Sequence, residues 1–439
     1  MTIPPVTDAE QAVTDAEQGP RFALVSWQVL PAIFPRSGSN VGGAETGLWG
    51  LAQTLGRLPG LRVAVATSAP HSGYPGEHQG VDLWLSVDRF AAMRRSVSSC
   101  IEFSPRLRWK RFAPRLLFEL PVLAVTRPWR PRDPLTMEPD PRLAQRHPDV
   151  WGAFGNSGDT ARTVATALMQ QRPSIVFIQS NADLDERLAG GDAFTTRWGD
   201  TAQELRFVLR HATEIVCQSR WQLDALQQRF GRRGHLIRNP IDVSAWSGVQ
   251  TDQQPYALWI GRYDDFHKRP LLMLQAAAEC PAIPFKLVIN RLDPTIERQV
   301  RRSCPANVEL IDYVPFDQMP SWFAGARLFV STGAPDCEGF PNVLLQAAAA
   351  GTPIVSLEDF DGFLAASGAG VDCGGSIARL AAELRSRWQK PAIDRARVER
   401  YLADRHAPER VAGRVADLIR RLAPGEQRSA REPASGVPG

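Results

Sequence analysis

From about Arg21 to about Leu422, short apolar runs alternate with longer segments whose apolar residues recur at helical spacing. Strand–helix–strand units packed around parallel sheets leave this pattern. The runs predict strands over Phe22 to Ser26, Arg62 to Ala66, Val81 to Leu85, Ile175 to Ile178 and Glu214 to Cys217. Helical spacing predicts helices over Ala44 to Leu55, Thr160 to Gln170, Thr201 to Leu209 and Trp221 to Gln228. After the polar stretch Ser247 to Gln254 the pattern starts again, with strands over Ala257 to Ile260, Phe285 to Ile289, Val308 to Ile311, Leu328 to Ser331 and Ile354 to Ser356. The restart marks a domain boundary, so an α/β chain with two doubly wound domains is expected, the first over 21–246 and the second over 255–404. Two such domains facing each other would bring the carboxyl ends of both sheets to one central cleft, where these folds bind ligands.

Composition agrees with this picture. A chain of 439 residues that is 44% hydrophobic is long enough to bury two cores. Its net charge of +4 is too small to suggest nucleic acid as a partner. Cys100, Cys217, Cys280, Cys304, Cys337 and Cys373 have no metal-like or redox-like spacing and read as reduced thiols of a cytoplasmic protein. The start of the chain repeats Val-Thr-Asp-Ala-Glu-Gln over Val6 to Gln11 and Val13 to Gln18, acidic and unlike a signal peptide. Residues 1–20 and 424–439 are expected to be disordered tails. The most apolar run, Leu116 to Val125, is broken by Glu119 and Pro121 and falls short of the roughly 20 residues that span a bilayer. Around it, Asp88 to Arg132 holds 11 Lys or Arg against 3 acidic residues, interleaved with Phe90, Phe103, Trp109, Phe112, Phe118 and Trp129. That mixture suits either an anionic membrane or lipid-linked acceptor, or a solvated basic loop.

The chemistry concentrates in Cys337-Glu338-Gly339-Phe340-Pro341-Asn342-Val343-Leu344-Leu345-Gln346 and the alanines that follow. Pro341 suits a first helical position, Gly351 a left-handed cap, and Pro353 blocks continuation. Glu338 and Gly339 therefore precede the free N–H groups of a helix start, which favour a phosphate, while Glu338 can accept bonds from neighbouring hydroxyls. A carboxylate beside an anion site suggests a sugar attached to a phosphate. Arg262 and Lys268 follow a strand ending at Ile260-Gly261, where a guanidinium fork and an ammonium would suit a diphosphate. Asp264 and Asp265 between them could instead pair with either cation in a solvated loop. Gly42-Gly43 after the first strand lets backbone approach a phosphate or sugar, or is a plain glycine turn. His267 reads as a surface residue, and no histidine has metal or triad spacing. Gly368-Ala369-Gly370 reads as a helix-capping loop. No Walker lysine, HExxH motif or Cys/His cluster occurs, so neither a metal nor a cofactor is expected.

These residues resemble the retaining GT-B glycosyltransferases of family 4, whose nucleotide-sugar site carries Glu, seven residues, then Glu. Here the second position is Gln346. Gly42-Gly43-Ala44-Glu45, Arg238-Asn239-Pro240-Ile241-Asp242 and Gly261-Arg262 with Lys268 fall in the family's order. The resemblance implies two Rossmann-like domains of the GT-B type, the first on the acceptor side, the second on the donor side, with 405–423 crossing back. It implies a nucleotide-diphosphate sugar as co-substrate, and Arg262, Lys268 and Glu338 as the catalytic set. Gly42, Gly43, Gly339, Phe340, Pro341, Asn342, Val343 and Gln346 are the donor-binding expectation. Relatives often carry a His in a first-domain stretch matching Ile175 to Asp183, which has none here; Gln179, Ser180, Asn181 and Asp183 are substrate-contact candidates instead. The expected reaction is metal-independent transfer of a sugar, with retention, to a glycan, lipid-linked or small acceptor in polysaccharide or glycoconjugate biosynthesis. The protein is expected in the cytoplasm, either free or in peripheral contact with the inner face of the membrane. A sugar-nucleotide epimerase of similar fold and an inactive GT-B-like scaffold are the alternatives.

Overall fold

The computed structural model describes residues 19–35, 42–87, 90–98, 100–102, 108–109, 112–126, 137–249 and 255–423. The expected tails, Phe103, Trp129 and most of the polar stretch Ser247 to Gln254 lie outside them. The protein is mixed α/β, with two parallel-sheet Rossmann-like domains. Its strands are β1 (Arg21–Val25), β2 (Arg62–Ala69), β3 (Glu77–His78), β4 (Val81–Val87), β5 (Ile101–Glu102), β6 (Arg108–Trp109), β7 (Val150–Phe154) and β8 (Ser174–Phe177). They continue with β9 (Glu214–Cys217), β10 (His235–Leu236), β11 (Tyr256–Arg262), β12 (Phe285–Asn290), β13 (Val308–Ile311), β14 (Ala326–Ser331), β15 (Ile354–Ser356) and β16 (Gly370–Asp372).

Two compact units divide the chain: one ends at Ala153 and takes in Ser157–Ser174, the other includes Ile175–Arg421. In the first unit five strands lie in the order β7-β1-β2-β4-β3, with β3 antiparallel to β4 and the other pairs parallel, and β5 and β6 pair antiparallel in a small sheet of their own. β7 is a strand the apolar pattern does not announce. Its Gly152 packs so close to β1 that a Cβ there would come within 2.5 Å of the Phe22 ring and 2.8 Å of Leu24. Gly42 caps the helix Gly43–Gly56, which presents Leu48, Leu51, Ala52 and Leu55 to the interior. Among the described residues no helix is long and apolar enough to cross a membrane; Leu116–Val125 is a helix of ten residues that keeps Pro121 inside it.

In the second unit β10, β9 and β8 are neighbours in that order, and a separate six-stranded parallel sheet runs β13-β12-β11-β14-β15-β16. Alternate residues along the central strands feed two cores. Ala257, Trp259, Leu287, Leu328 and Val330 enter one, while Tyr256, Leu258, Val288, Phe329 and Ile354 enter the other. A strand buried on both faces reads as a continuous apolar run, which is why this half of the pattern is legible. The chain winds outward from β11 through β12 to β13, then returns to lay β14 against the other side of β11. That reversal opens a crevice at the carboxyl ends of β11 and β14.

Candidate functional site

Two loops meet at this reversal. The first follows β11, whose last residue is Arg262. Asp264, 1% exposed, organises it. One carboxylate oxygen accepts from Arg262 Nε at 2.6 Å, and the other accepts the backbone N–H groups of His267 and Lys268 at 2.8 and 2.7 Å. The far end of the guanidinium lies 2.7 Å from His267 Nδ1. Burial above all, with the Arg262 charge beside it, pushes the His267 pKa down to about 4, so near neutrality the ring is uncharged and its Nδ1 can accept from Arg262. His267 is thus not the surface residue its sequence context suggests: it is half-buried and turns Arg262. Arg269 then takes a left-handed conformation (φ 50°, ψ 57°) ahead of Pro270. Its guanidinium is anchored on the backbone oxygens of Thr332 (2.7 Å) and Gly333.

The second loop follows β14. Its Ala334 donates to the His267 carbonyl at 2.8 Å, and Glu338 N–H donates to Ala334 O at 2.8 Å. Glu338 is 7% exposed and forms an ion pair with Lys268 through Oε1. Its Oε2 is buried without a hydrogen-bond partner and lies over Gly333, where a Cβ would come within 2.9 Å of it. A carboxylate oxygen shut away from water without a donor is costly, and the missing donor defines what would fit there. The helix Asn342–Ala349 starts one residue later than expected, with Pro341 as its cap, and Gly351 closes it at φ 74°.

Side chains from further back in the unit fasten this loop. Ser180 Oγ donates to Cys337 O, and Asn181 Nδ2 reaches Pro335 O at 2.6 Å. Gln179 and Ser180 donate their N–H groups to Asp183 Oδ2 at 2.9 and 3.1 Å. The Gln222 side-chain amide donates to Asn181 Oδ1 at 3.0 Å, so the polar groups of Ser180, Asn181 and Asp183 are engaged within the protein, mostly on backbone. Burial raises the Asp183 pKa to about 6 in spite of those two bonds. Gly339 passes Gln179 so closely that a Cβ would meet its carbonyl oxygen at 2.5 Å. The Phe340 N–H donates to Gln218 Oε1 at 3.1 Å, so that group is not open to an anion, and the Phe340 ring packs edge-on against Phe363. Asn239 Nδ2 ties Gln218 Oε1, Phe340 O and Asn342 Oδ1 together at 3.1, 3.3 and 2.7 Å. Gln346 lies one turn into the helix and is half-buried.

The structure therefore joins Lys268 to Glu338 and ties Arg262 to the Lys268 loop through Asp264; Gly339 to Val343 follow Glu338 directly, and Gln346 lies one turn into the helix that they lead into. Gly42 and Gly43 belong to the first unit, at the start of their own helix. The pairing of Asp264 with Arg262, left open by the sequence, is present, whereas the positions of His267, Gln218 and Arg269 in the site carry no signal there. An aspartate two residues after Arg262 was the signal for that pairing. Among the described residues no group of three or more His, Cys, Asp or Glu is placed to hold a metal ion.

Residues 254–383 match the family of glycosyl transferases group 1. The match contains Arg262, Lys268, Glu338 and Gln346. The described residues have the GT-B fold. AviGT4, a glycosyltransferase involved in avilamycin A biosynthesis, is 18% identical with a TM-score of 0.55, covering 92% of this chain and 98% of its own. A mutant of S. aureus TarM, in complex with fondaparinux, alpha-GlcNAc-glycerol and UDP, is 9% identical with a TM-score of 0.55, covering 91% and 99%. Among curated proteins, none matches the sequence.

Proposed function

We propose that the protein is a retaining glycosyltransferase that moves a sugar from a nucleoside diphosphate sugar to a glycan, lipid-linked or small acceptor without a metal. The observation that carries the reading is the pair of half-buried Lys268 with buried Glu338, whose Oε2 is unpartnered, on the loop that Arg262 opens at the sheet reversal. A sugar hydroxyl would supply the donor that Oε2 lacks. Lys268 has three N–H donors, so it can keep Glu338 Oε1 and still reach a phosphate oxygen. Breaking the sugar–phosphate bond builds negative charge on the diphosphate, and Arg262 and Lys268 would stabilise that charge more in the transition state than in the ground state. Gln346 would hold the ribose. The leaving phosphate would take the acceptor's proton, so no protein base is needed.

For the acceptor side, the helix Leu116–Val125 supports a lipid surface. Leu117, Phe118 and Val125 are 73%, 67% and 66% exposed, and Phe112 and Trp109 nearby are 67% and 56% exposed. The opposite face packs Leu116 and Leu123 against Val97, Cys100 and Ile101. An apolar face in a basic segment suits an anionic bilayer at the inner membrane surface. Liposome co-sedimentation should show a preference for anionic lipid at low salt, and indifference to lipid charge would retire this contact.

The enzyme reading is tested by a thermal-shift screen with UDP, GDP and their sugars, followed by product analysis with the stabilising donor and candidate acceptors. A glycosylated acceptor that keeps the donor's anomeric configuration is expected. An isomerised sugar nucleotide formed without acceptor would replace transfer by epimerisation. Loss of turnover with chelator, restored by a divalent ion, would contradict metal independence.

A further inference from the structure

Away from that cluster, the second unit holds a cavity of about 150 Å³ whose lining includes Arg220, Arg238, Arg405, Arg410 and Arg414 but a single carboxylate, Asp404. This is several times the roughly 30 Å³ share of one water. Arg238 is 6% exposed and its charge is met by Asp361, which also accepts the Arg220 N–H at 2.7 Å. Asp361 is thereby used up. Arg405 leans on the Tyr401 ring at 5.1 Å. Among the described residues, Arg220, Arg405, Arg410 and Arg414 form no ion pair, which leaves Asp404 facing four guanidiniums.

Two local rules are broken here at once. Arg410 sits in the first turn of the helix Pro408–Leu422, at the positive end of its dipole, where a cation is disfavoured. Arg410 and Arg414 are also one turn apart on that helix, a spacing at which like charges repel. Next to them, burial first and then the Arg238 and Arg405 charges depress the pKa of His406 to about 4. Several local conflicts converging on one concave spot, with Asp404 in the lining and Glu409 in the same first helical turn as the acidic groups set against five arginines, mark a place where something else completes the charge balance.

We propose that this cavity binds a phosphate-bearing ligand with at least two negative charges, at a site separate from Lys268 and Glu338. Guanidinium forks match phosphate oxygens two bonds at a time, and the dipole of a 15-residue helix adds to the attraction. The proposal does not rest on the glycosyl-transfer reading.

The test is calorimetry of the full chain with inorganic tripolyphosphate at low salt. Arg410→Gln/Arg414→Gln should weaken binding roughly tenfold or more, since each position loses a bond to a charged group, and melting should hold or rise slightly, because both residues are exposed and their removal relieves the dipole and like-charge conflicts. Arg405→Gln, from a neighbouring helix, should weaken it too, while Lys268→Ala should bind as the wild type does. No binding by the wild type, equal affinity in the double variant, or a loss confined to Lys268→Ala would overturn the site. Phosphatidic-acid vesicles that capture the wild type but not the double variant assign a lipid headgroup. Tripolyphosphate binding without that difference assigns a free ligand, and either result supports the site.

Discussion

Two polar clusters of the second unit use the same kinds of side chain to different ends. Around Gln179 to Asp183, hydroxyl, amide and carboxylate groups are spent within the protein: Ser180 on the Cys337 backbone, Asn181 on the Pro335 backbone and the Gln222 side chain, Asp183 on the backbone of Gln179 and Ser180. Around Lys268 and Glu338, a carboxylate equally shut from water keeps one oxygen with no donor. Burial and polarity do not separate the two; unused hydrogen-bonding capacity does. A satisfied cluster holds a loop in place, whereas an unsatisfied one has chemistry left to offer.

The widest separation should come from mutating each cluster in turn. Arg262→Ala or Lys268→Ala should raise the barrier by about 3 to 4 kcal/mol per folded molecule, the usual loss for one transition-state donor, on top of the stability lost by stranding the buried Asp264 or Glu338 carboxylate. Asn181→Ala should cost stability alone, about 1 to 3 kcal/mol, because it strands buried partners such as the Gln222 amide, while turnover per folded molecule stays near wild type. Paired rate and melting measurements decide this. Near-native rates in both cation variants with saturating donor would remove them from the catalytic set.

The next contrast lies in pH. The Asp183 pKa is about 6 folded against 3.8 as an ordinary aspartate, so the folded state holds its proton over a range where the unfolded chain has released it. Its contribution is fully present below pH 3.8 and is lost as pH rises through about 6, by up to ~3 kcal/mol. Asp183→Asn cannot release a proton, so its stability relative to wild type should climb between about pH 4 and 6 and level off above. Denaturant melts across that window would reveal it, and a constant difference would place the titration elsewhere.

The same contrast sets what was legible in the sequence. The central strands β11, β12 and β14 of the six-stranded sheet could be read because both faces are buried; Glu214–Cys217 of the other sheet, the edge strand Val308–Ile311 and Ile354–Ser356 also occur with the expected bounds, whereas the short, half-buried β16 was not foreseen. Val150–Phe154 was missed because a glycine interrupts it, and that glycine is needed by Phe22 and Leu24 on a neighbouring strand. The loop at Glu338 was legible because its turn and cap residues are local chemistry. The sequence told that Ser180 and Asn181 could hydrogen-bond, but their partners lie 157 and 154 residues away. His267 was misjudged for the same reason: the loop that helps cover it comes from beyond β14.

The smallest effect tests the edge of the open cluster. Gln346 stands where the resembling family has its second Glu, one turn inside the helix that begins at Asn342. A carboxylate there accepts from both ribose hydroxyls, whereas an amide accepts from one and donates to the other, so nucleotide binding survives the exchange. Gln346→Ala should weaken nucleoside diphosphate binding by roughly 0.5 to 1.5 kcal/mol, the net worth of a neutral hydrogen bond, and Gln346→Glu should remain active. The alanine variant should fold normally, because the side chain is only half-buried. Calorimetry is the measurement, and equal dissociation constants for wild type and Gln346→Ala would show that the open cluster ends at Glu338 and does not extend along the helix.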